Sequence, residues 1–583
     1  MKLFNLLFGC ELEGTEKLFY QGGAAYDAER KSLRFQAGET ASFETYFNLF
    51  SYAKYRKYCG IQNANVRFEG TGSFLAEFFC RTQSGNTLPL QTVKFTDSYT
   101  VRLDISELPD KGYLYFTLTA ESEAELTGGS YLADTNNDNP VKIGLVICTY
   151  KRETFVKNNL KRLLAGIAAE PEWGNVLHVF VIDNAKTLEL PENEYYTVVP
   201  NKNLGGSGGF TRGITEVCKD PSFTHFLLMD DDIHFEFETL KRTAYLLRAL
   251  SDEYRSATVG GSMLYLDKPT VQHEFGGYFT GLQYIARNSL LDMTETDNLI
   301  ENEDPPKANY NAWWYTCMPT DTMQKYSLPL PLFIKGDDVE YGIRCIDQLI
   351  LMSGLSIWHQ DFSLKYNAAL EYYGKRNELI LAAIHFNAGR WNLSVKLLYM
   401  VFIQLVLKRY YCAELILDAY RDYFKGYQFL IDTDMTQRNT EIMARQPKFY
   451  SKDELENTYS LDLNTVVEKK TVKKKRRNIF RFILLTMESF LPAFLFKKQP
   501  IAANANNNRA APLFLRKTSV HYDPYREQGY VCELDTKRRR KIRSETFKML
   551  FFILFHQKKT RKEYQRHYLE TCSLEEWNRK FEI

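Results

Sequence analysis

The sequence lacks most of the features by which a function can be named quickly. Its ten cysteines are scattered from Cys10 to Cys572 without a C-x-x-C pair. Neither a zinc site nor a disulfide framework can be read from them, and reduced thiols in a cytoplasmic setting are expected. No apolar run reaches the roughly 20 residues a membrane-spanning helix needs. Charge of neither sign dominates, the formal net charge being +2, so no global polyanion partner is implied. The one glycine-rich stretch has neither the G-K-[ST] of a P-loop nor the spacing G-x-G-x-x-G. Two basic runs, KKTVKKKRR and KRRRK, come without a recognisable reader domain, so no nucleic-acid partner is expected. The first residues, MKLFNLLFGCELEG, superficially resemble a lipoprotein signal. The apolar stretch is too short, the charged region is one lysine and Phe8 is a poor neighbour for cleavage, so a buried first strand is expected instead.

What is present is a long chain of ordinary soluble composition. At 583 residues it is too long for one core, and roughly three or four domains are expected. Aromatic residues make up 14%, which suits carbohydrate or membrane-interface contact as well as packing. Residues 1–138 alternate apolar and polar side chains, as in SLRFQAGETASFETYFNLFSYAKYRKY and TVKFTDSYTVRLDIS, and predict a β-rich domain. The polar linker ADTNNDNPVK ends it. From 139 to about 375 the pattern becomes strand–helix–strand. KIGLVICTY, VLHVFVIDNA and THFLLMDDD read as strands buried on both faces, with helical segments between them. This predicts an α/β domain with a mostly parallel sheet. Residues 376–583 read as helical. Two segments there, KKTVKKKRRNIFRFILLTMESFLPAFLFKK and KRRRKIRSETFKMLFFILFHQKKTRK, set basic residues against phenylalanine-rich stretches, a composition suited to an anionic membrane surface.

In open α/β sheets, ligands gather beyond the carboxyl ends of the strands. Thr149, Asp183, Asn203 and Asp230–Asp231–Asp232 all fall at such ends. Residues two apart on a strand point the same way, so Asp230 and Asp232 converge while Asp231 faces elsewhere. Two convergent carboxylates form a partial Mg²⁺ or Mn²⁺ site that diphosphate oxygens complete. An acidic surface turn would have the same tripeptide, but its place at a strand end argues against that. In NKNLGGSGGF, Gly205, Gly206 and two further glycines at a strand-to-helix turn would let a phosphate or sugar approach the backbone. PLFIKGDDVEYGIRC carries Asp337 and Asp338 beside Lys335; a carboxylate there is either a helix cap or a general base. His359, in SIWHQDFS, falls at another strand end, and an imidazole added to oxygen ligands favours Mn²⁺ over Mg²⁺. In YNAWWYTCMP, Trp313 and Trp314 would point to opposite faces of a strand, leaving one free to stack on a sugar ring.

Taken in order, CTYKR, VIDNA, NLGGSGGF, LLMDDDI, NAWWY, FIKGDDVEYGIRC, IWH and YYGKRN resemble family-2 glycosyltransferases of GT-A fold. More narrowly, they resemble the polymerising galactofuranosyltransferases of bacterial cell-wall galactan synthesis. That resemblance implies an N-terminal β-sandwich (with ETYFNLF inside it), a central GT-A domain and a helical C-terminal region. It also implies roles. Thr149 and Arg152 would contact the nucleotide diphosphate, Asp183 the nucleoside, and Asn203, Gly205 and Gly206 would line the donor site. Asp230, Asp232 and His359 would hold Mn²⁺ or Mg²⁺, Lys335 would neutralise phosphate charge, and Asp338, with Asp337 beside it, would be the general base. Trp313 and Trp314 would shape the acceptor groove, and Glu274 would touch the sugar. The expected substrates are a UDP- or dTDP-linked sugar and a lipid-linked glycan, with a homo-oligomer on the inner face of the cell membrane. Two positions depart from the pattern: Gly336 stands where the galactan enzymes carry tryptophan, and Gly374 where they carry histidine. The reaction type therefore carries over more directly than the sugar, and a dTDP-rhamnose-dependent rhamnosyltransferase is the rival assignment. A glycan-binding scaffold on a decayed GT-A fold is the rival of another class; the intact aspartates, Lys335 and His359 speak against it.

Overall fold

The structure is a computed structural model that describes residues 1–362, 367, 369–466, 486–506 and 510–583. The chain forms two compact units, one of residues 1–329 with 338–360, the other of residues 330–337 with 361–583.

The first unit begins with two antiparallel sheets. One contains Ser32–Phe35, Ala124–Ala133, Asn63–Thr71 and Tyr99–Asp104, with Lys2–Asn5 paired to Ala124–Ala133; the other contains Thr40–Ser42, Gly112–Ala120, Ser73–Thr82 and Thr87–Thr96. The expected first strand is therefore present, and Leu3 and Phe4 are buried. Period-two alternation produces the core: Phe74, Ala76, Phe78 and Cys80 point inward from Ser73–Thr82 and meet Phe68 and Phe116. The expectation of continuous strand fails at SYAKYRKYC, where Tyr52–Cys59 is a helix ended by Gly60 at φ 70°. Its buried Tyr52, Tyr55 and Cys59 recur at helical spacing, which overrides local β-propensity.

The same unit contains a ten-stranded sheet. Tyr196–Pro200, Leu177–Asp183, Ile143–Thr149 and His225–Asp230 are consecutive and parallel. Thr316–Pro319 then joins antiparallel, and Thr258–Tyr265 pairs with both Val271–Glu274 and Leu349–His359. The sheet is thus mixed rather than mostly parallel. The five residues between Tyr265 and Val271 allow only a hairpin return, whereas a parallel return needs a long crossover. Register levels the parallel strands: Thr149 lies opposite Asp183, and Cys148 opposite Asp230. Those residues share the carboxyl edge. The sandwich is tied to this sheet through Glu238, which accepts from the backbone and the side chain of Asn5 at 2.7 and 2.8 Å, and Arg242, which donates to the carbonyls of Phe47 and Asn5. The ETYFNLF segment joins the same contact: the Tyr46 hydroxyl and Ser262 lie 2.6 Å apart, and the Phe47 ring packs on Trp358.

The second unit is mainly helical, with Ala369–His385, Arg390–Val406, Tyr410–Tyr423 and the long Thr536–His567. It also holds a four-stranded sheet of Tyr450–Ser451, Gln528–Glu533, Thr518–Asp523 and Ile501–Asn504, which the helical expectation did not include. Much of the first basic–aromatic segment, residues 467–485, lies outside the described residues. No described helix is long and apolar enough to cross a membrane.

Candidate active site

The three aspartates separate, but not along one strand: Asp230 ends the strand His225–Asp230, and Asp231 and Asp232 form the bend that follows it. Asp231 is buried and turned inward: its carboxylate accepts from the Thr149 hydroxyl at 2.7 Å and from Arg152 at 2.9 Å, and its carbonyl accepts from Asn159. Burial pushes its carboxyl above the ordinary range, against the pull of Arg152. Asp230 and Asp232 lie together with His359, one potential ligand atom of each falling within 4.8 Å of the others. The last strand brings the histidine there, because His359 is in register with both Ile233 and Tyr265. This is how a residue distant in sequence meets the aspartates.

The state of His359 follows from its neighbours. Its Nδ1 is 2.5 Å from the carbonyl of Gln360, an acceptor only, so Nδ1 carries the hydrogen. In the neutral ring Nε2 then presents a lone pair, and it faces the Asp232 carboxylate at 3.1 Å. Two lone-pair donors at that distance call for a cation between them, or a proton. Arg152 supplies part of the positive charge, 3.0 Å from Asp232. Two carboxylates and one oriented imidazole are a donor set that fits Mn²⁺ or Mg²⁺, the imidazole favouring Mn²⁺.

A second cluster in the same unit surrounds Asp338. Glu274 is 6% exposed, and its Oε1 has no hydrogen-bond partner. Burial, and then the nearby Asp338, raise its carboxyl well above the ordinary range, so it holds its proton. Both carboxyls also raise the phenol of buried Tyr310, after burial itself. Asp338 sits in the first turn of the helix Asp337–Cys345 and accepts from the Val339 N–H at 2.8 Å. A paired-carboxyl environment of this kind, one held neutral and one at a helix start, suits proton transfer.

The tryptophans differ from expectation. Trp313 and Trp314 lie in the turn ahead of the Thr316–Pro319 strand, and both are buried, at 5% and 6% exposure. The Trp313 ring meets Phe210 and Tyr341 edge-on; Trp314 Nε1 donates to the Gly261 carbonyl. Off the strand, both are free to turn inward. The glycines also have a different placement: Gly205 to Gly209 form the first turns of the helix Gly205–Cys218, not a loop ahead of it. A Cβ on Gly209 would stand 2.0 Å from Cys148 Sγ, and one on Gly213 2.1 Å from a methyl of Val146. These two glycines let the helix lie directly on the Ile143–Thr149 strand. Asn203 accepts from the Gly205 N–H at 3.2 Å, near the start of that helix. Asp183 is buried and its carboxylate accepts the backbone N–H groups of Ala185, Thr187 and Leu188, which shapes the loop after its strand.

In the second unit, the loop leading to Asp337 is held in an uncommon conformation. Phe333, Lys335 and Gly336 have φ of 71°, 65° and 85°, a region that costs non-glycine residues energy. Asn377 Nδ2 donates to the carbonyls of Leu332, Ile334 and Lys335, and Arg376 donates to Leu332 at 2.7 Å. Both side chains are fully buried. Sequence reasoning quoted this pair within YYGKRN without giving it a role; nothing local signals that an amide will collect three carbonyls forty residues upstream. A Cβ on Gly374 would meet only Lys335 Cδ, at 4.0 Å, so the position is roomy.

Comparison with known proteins places these features in context. Residues 19–134 match the family described as Galactofuranosyltransferase 2 N-terminal. The chain is similar to galactofuranosyltransferase GlfT2 of Mycolicibacterium smegmatis, 24% identical over 424 residues, which cover 67% of this chain and 64% of that protein. GlfT2 of Mycobacterium tuberculosis is 25% identical over 401 residues, covering 63% and 62%. The match therefore spans less than two thirds of either relative's length. Among solved structures, a mannosyltransferase of Pyrobaculum calidifontis in complex with GDP-Man and Mn²⁺ covers 43% of this chain and 66% of its own, at 11% identity and a TM-score of 0.28; so low a score bears no weight here. The resemblance to the galactofuranosyltransferases first drawn from motifs extends over about two thirds of the chain.

Proposed function

We propose that the chain is an inverting, metal-dependent glycosyltransferase of GT-A fold, acting in cell-wall or surface-polysaccharide synthesis. It moves galactofuranose or rhamnose from a UDP- or dTDP-linked donor to a lipid-linked glycan. The observation that carries this is the Asp230–Asp232–His359 cluster, with His359 Nε2 3.1 Å from the Asp232 carboxylate. A divalent cation bound there would neutralise the diphosphate as it leaves. Arg152, already beside Asp231 and Asp232, is available to the phosphates, and Lys335 adds charge on the loop before Asp337. Asp338 takes the proton from the acceptor hydroxyl. The freed oxygen attacks the anomeric carbon on the face opposite the diphosphate, so one C–O bond forms as the other breaks and the configuration inverts. Protonated Glu274 offers a hydrogen-bond donor to a sugar oxygen in the same space. Trp313 and Trp314, being buried, would act on the acceptor groove through packing.

Donor choice falls to the positions that depart from the galactan pattern. Gly336 at φ 85° disfavours any side chain, and Gly374 leaves room beside Lys335, so rhamnose stands beside galactofuranose. The acceptor's lipid points to work on the anionic inner surface of the cell membrane, and the resemblance to the galactofuranosyltransferases supports a homo-oligomer. The test is incubation with Mn²⁺, a lipid-linked acceptor and a panel of nucleotide sugars, with products weighed by mass spectrometry. Transfer from UDP-galactofuranose or dTDP-rhamnose is expected. Glycan binding without turnover of any donor would identify a scaffold and overturn the assignment.

A further inference from the structure

The first unit holds a cleft that the transfer chemistry does not use. It lies where the sandwich meets the ten-stranded sheet and has a volume of about 680 Å³, within the range of about 300–1,000 Å³ usual for small-molecule sites. One wall comes from the helix Tyr52–Cys59 and the turn before Gly112–Ala120. The other comes from residues 303–308 and from Leu349 and Leu351. Two contacts connect this lining to the segment that carries Glu274. Lys54 Nζ stands 5.4 Å over the ring of Phe275. Leu351 and Ala308 crowd Gly276, where a Cβ would lie 2.8 and 3.0 Å from their side chains.

A buried ion pair in this lining is incompletely satisfied. Glu303 and Lys54 are 8% and 9% exposed, and both line the cleft. Ser51 and Ser353 donate to Glu303 Oε1 at 2.9 and 2.6 Å, and Lys54 Nζ is 3.6 Å from the same oxygen. Glu303 Oε2 is buried and has no hydrogen-bond partner among the described residues. The Lys54 ammonium has three hydrogens, and its other contact is the Asn302 carbonyl, at 3.5 Å. Such a pair retains both an acceptor and a donor to fill. A hydroxyl donates and accepts at once, so a hydroxyl seated there serves both. The neighbouring charges are paired as well, Arg56 with Asp110 at 3.0 Å and Lys111 with Asp304 at 2.6 Å. An incoming phosphate would meet these carboxylates, whereas a neutral polyol meets a balanced set of donors and acceptors. Tyr58, Pro305 and Pro306 add apolar faces for the C–H side of a sugar ring.

We propose that this cleft is a second saccharide site, binding a short stretch of neutral glycan through hydroxyls that bridge Lys54 and Glu303. The inference rests on the glycan-handling part of the proposed function and adds a site to it. No step of the transfer takes place there. Its effect is retention: a longer acceptor held in the cleft stays with the enzyme while its end is extended elsewhere. A monosaccharide acceptor, too short to occupy both places, gains nothing from it.

The test is amide hydrogen exchange, read by mass spectrometry, on the full chain without nucleotide. The probes are a synthetic galactofuranose trisaccharide, a rhamnose trisaccharide and inorganic phosphate. One of the trisaccharides should slow exchange in residues 52–59 and 296–308, and phosphate should not. The double variant Lys54→Met, Glu303→Gln removes both charges together, so that no buried charge is left alone. It should bind the trisaccharide at least about tenfold more weakly, as expected when hydrogen bonds to charged groups are lost. Its transfer to a monosaccharide acceptor should match the wild type, while KM for a longer acceptor rises. Wild-type protection by neither trisaccharide, or protection confined to the surroundings of Asp338, would overturn the proposal without any variant. Protection by phosphate alone would assign the cleft to an anion and overturn it too. So would undiminished binding, or an unchanged KM for the longer acceptor, in the folded double variant. Exchange needs no turnover. Protection without transfer from any donor therefore counts against the transferase assignment alone, and transfer without protection counts against the second site alone.

Discussion

Replacing the aspartates one at a time tests whether the site is a metal centre or an acidic turn. Three carboxylates and one guanidinium leave the cluster with an excess of two negative charges, which a divalent cation would cancel. The observed contacts give Asp230 and Asp232 to that cation, and give Asp231 to Thr149 and Arg152. In a thermal or chemical unfolding titration, Mn²⁺ at one hundred times its Kd should stabilise the wild type by about 2.7 kcal/mol. Asp230→Asn removes a direct ligand, and the loss should at least match the upper end of about 10–100-fold seen when outer-sphere partners are removed. The same Mn²⁺ concentration then equals Kd, and the gain falls to about 0.4 kcal/mol.

Asp231→Asn should behave oppositely. It breaks the buried contacts with Thr149 and Arg152, so the metal-free protein should lose about 1–3 kcal/mol. Most of the Mn²⁺-dependent gain should survive. Paramagnetic broadening of the Mn²⁺ signal in electron spin resonance gives an independent reading of binding. The reasoning is refuted if Asp230→Asn keeps the wild-type gain, or if Asp231→Asn alone removes it.

The remaining predictions concern other groups. Asp338→Asn should lower turnover by about 10²–10⁴-fold, the usual contribution of a general base, while the Mn²⁺-dependent stabilisation stays intact; near-normal turnover would remove Asp338 from the mechanism. Asn377→Ala strands the carbonyls of Ile334 and Lys335, only the second of which is at an exposed residue, while Leu332 keeps Arg376. A loss of about 2–3 kcal/mol in denaturant unfolding is expected, together with reduced turnover from a loosened Lys335–Asp337 loop; an unchanged midpoint would show that the loop holds itself. Glu488 is buried 3.7 Å from Lys408, and burial pushes its carboxyl up to about 7 despite that lysine. A raised folded-state value means its contribution is fully present below the unfolded value near 4.5 and is lost as pH rises through about 7. Between those limits the wild type should lose about 3 kcal/mol relative to Glu488→Gln, and parallel stability–pH curves for the two proteins would refute it.

What was legible in the sequence follows the range of the interactions concerned. Periodicities of two and of continuous apolar runs are local, and they located the β-rich region and the parallel strands that end at Thr149, Asp183 and Asp230. Alternation within a strand also grouped Asp230 with Asp232, a grouping that the structure reaches through the bend after Asp230. The helix Tyr52–Cys59 and the turn carrying Trp313 and Trp314 were misread because short aromatic-rich stretches fit either period, and burial elsewhere decided between them. The glycines of NLGGSGGF were assigned to a phosphate-binding loop, yet Gly209 among them, like Gly213 one turn on, answers first to the close approach of a helix to Cys148 and Val146.

The residues that sequence reasoning passed over all act through long-range partners. Asn377 collects carbonyls from 332, 334 and 335, and the tautomer of His359 depends on the Gln360 carbonyl together with a carboxylate at 232. On the helix Arg390–Val406, the exposed stripe of Trp391, Val395 and Tyr399 looks in sequence like any core-facing helix, because apolar spacing at four residues does not state which side is covered. Exposure is what distinguishes an uncovered face from a core face. The phenylalanine-rich helix was noticed only because lysines flank it, and its neighbour, with one lysine and one arginine, gave no such sign. A hydrophobic stripe therefore identifies a surface that needs a partner, and only the fold shows whether the chain supplies it.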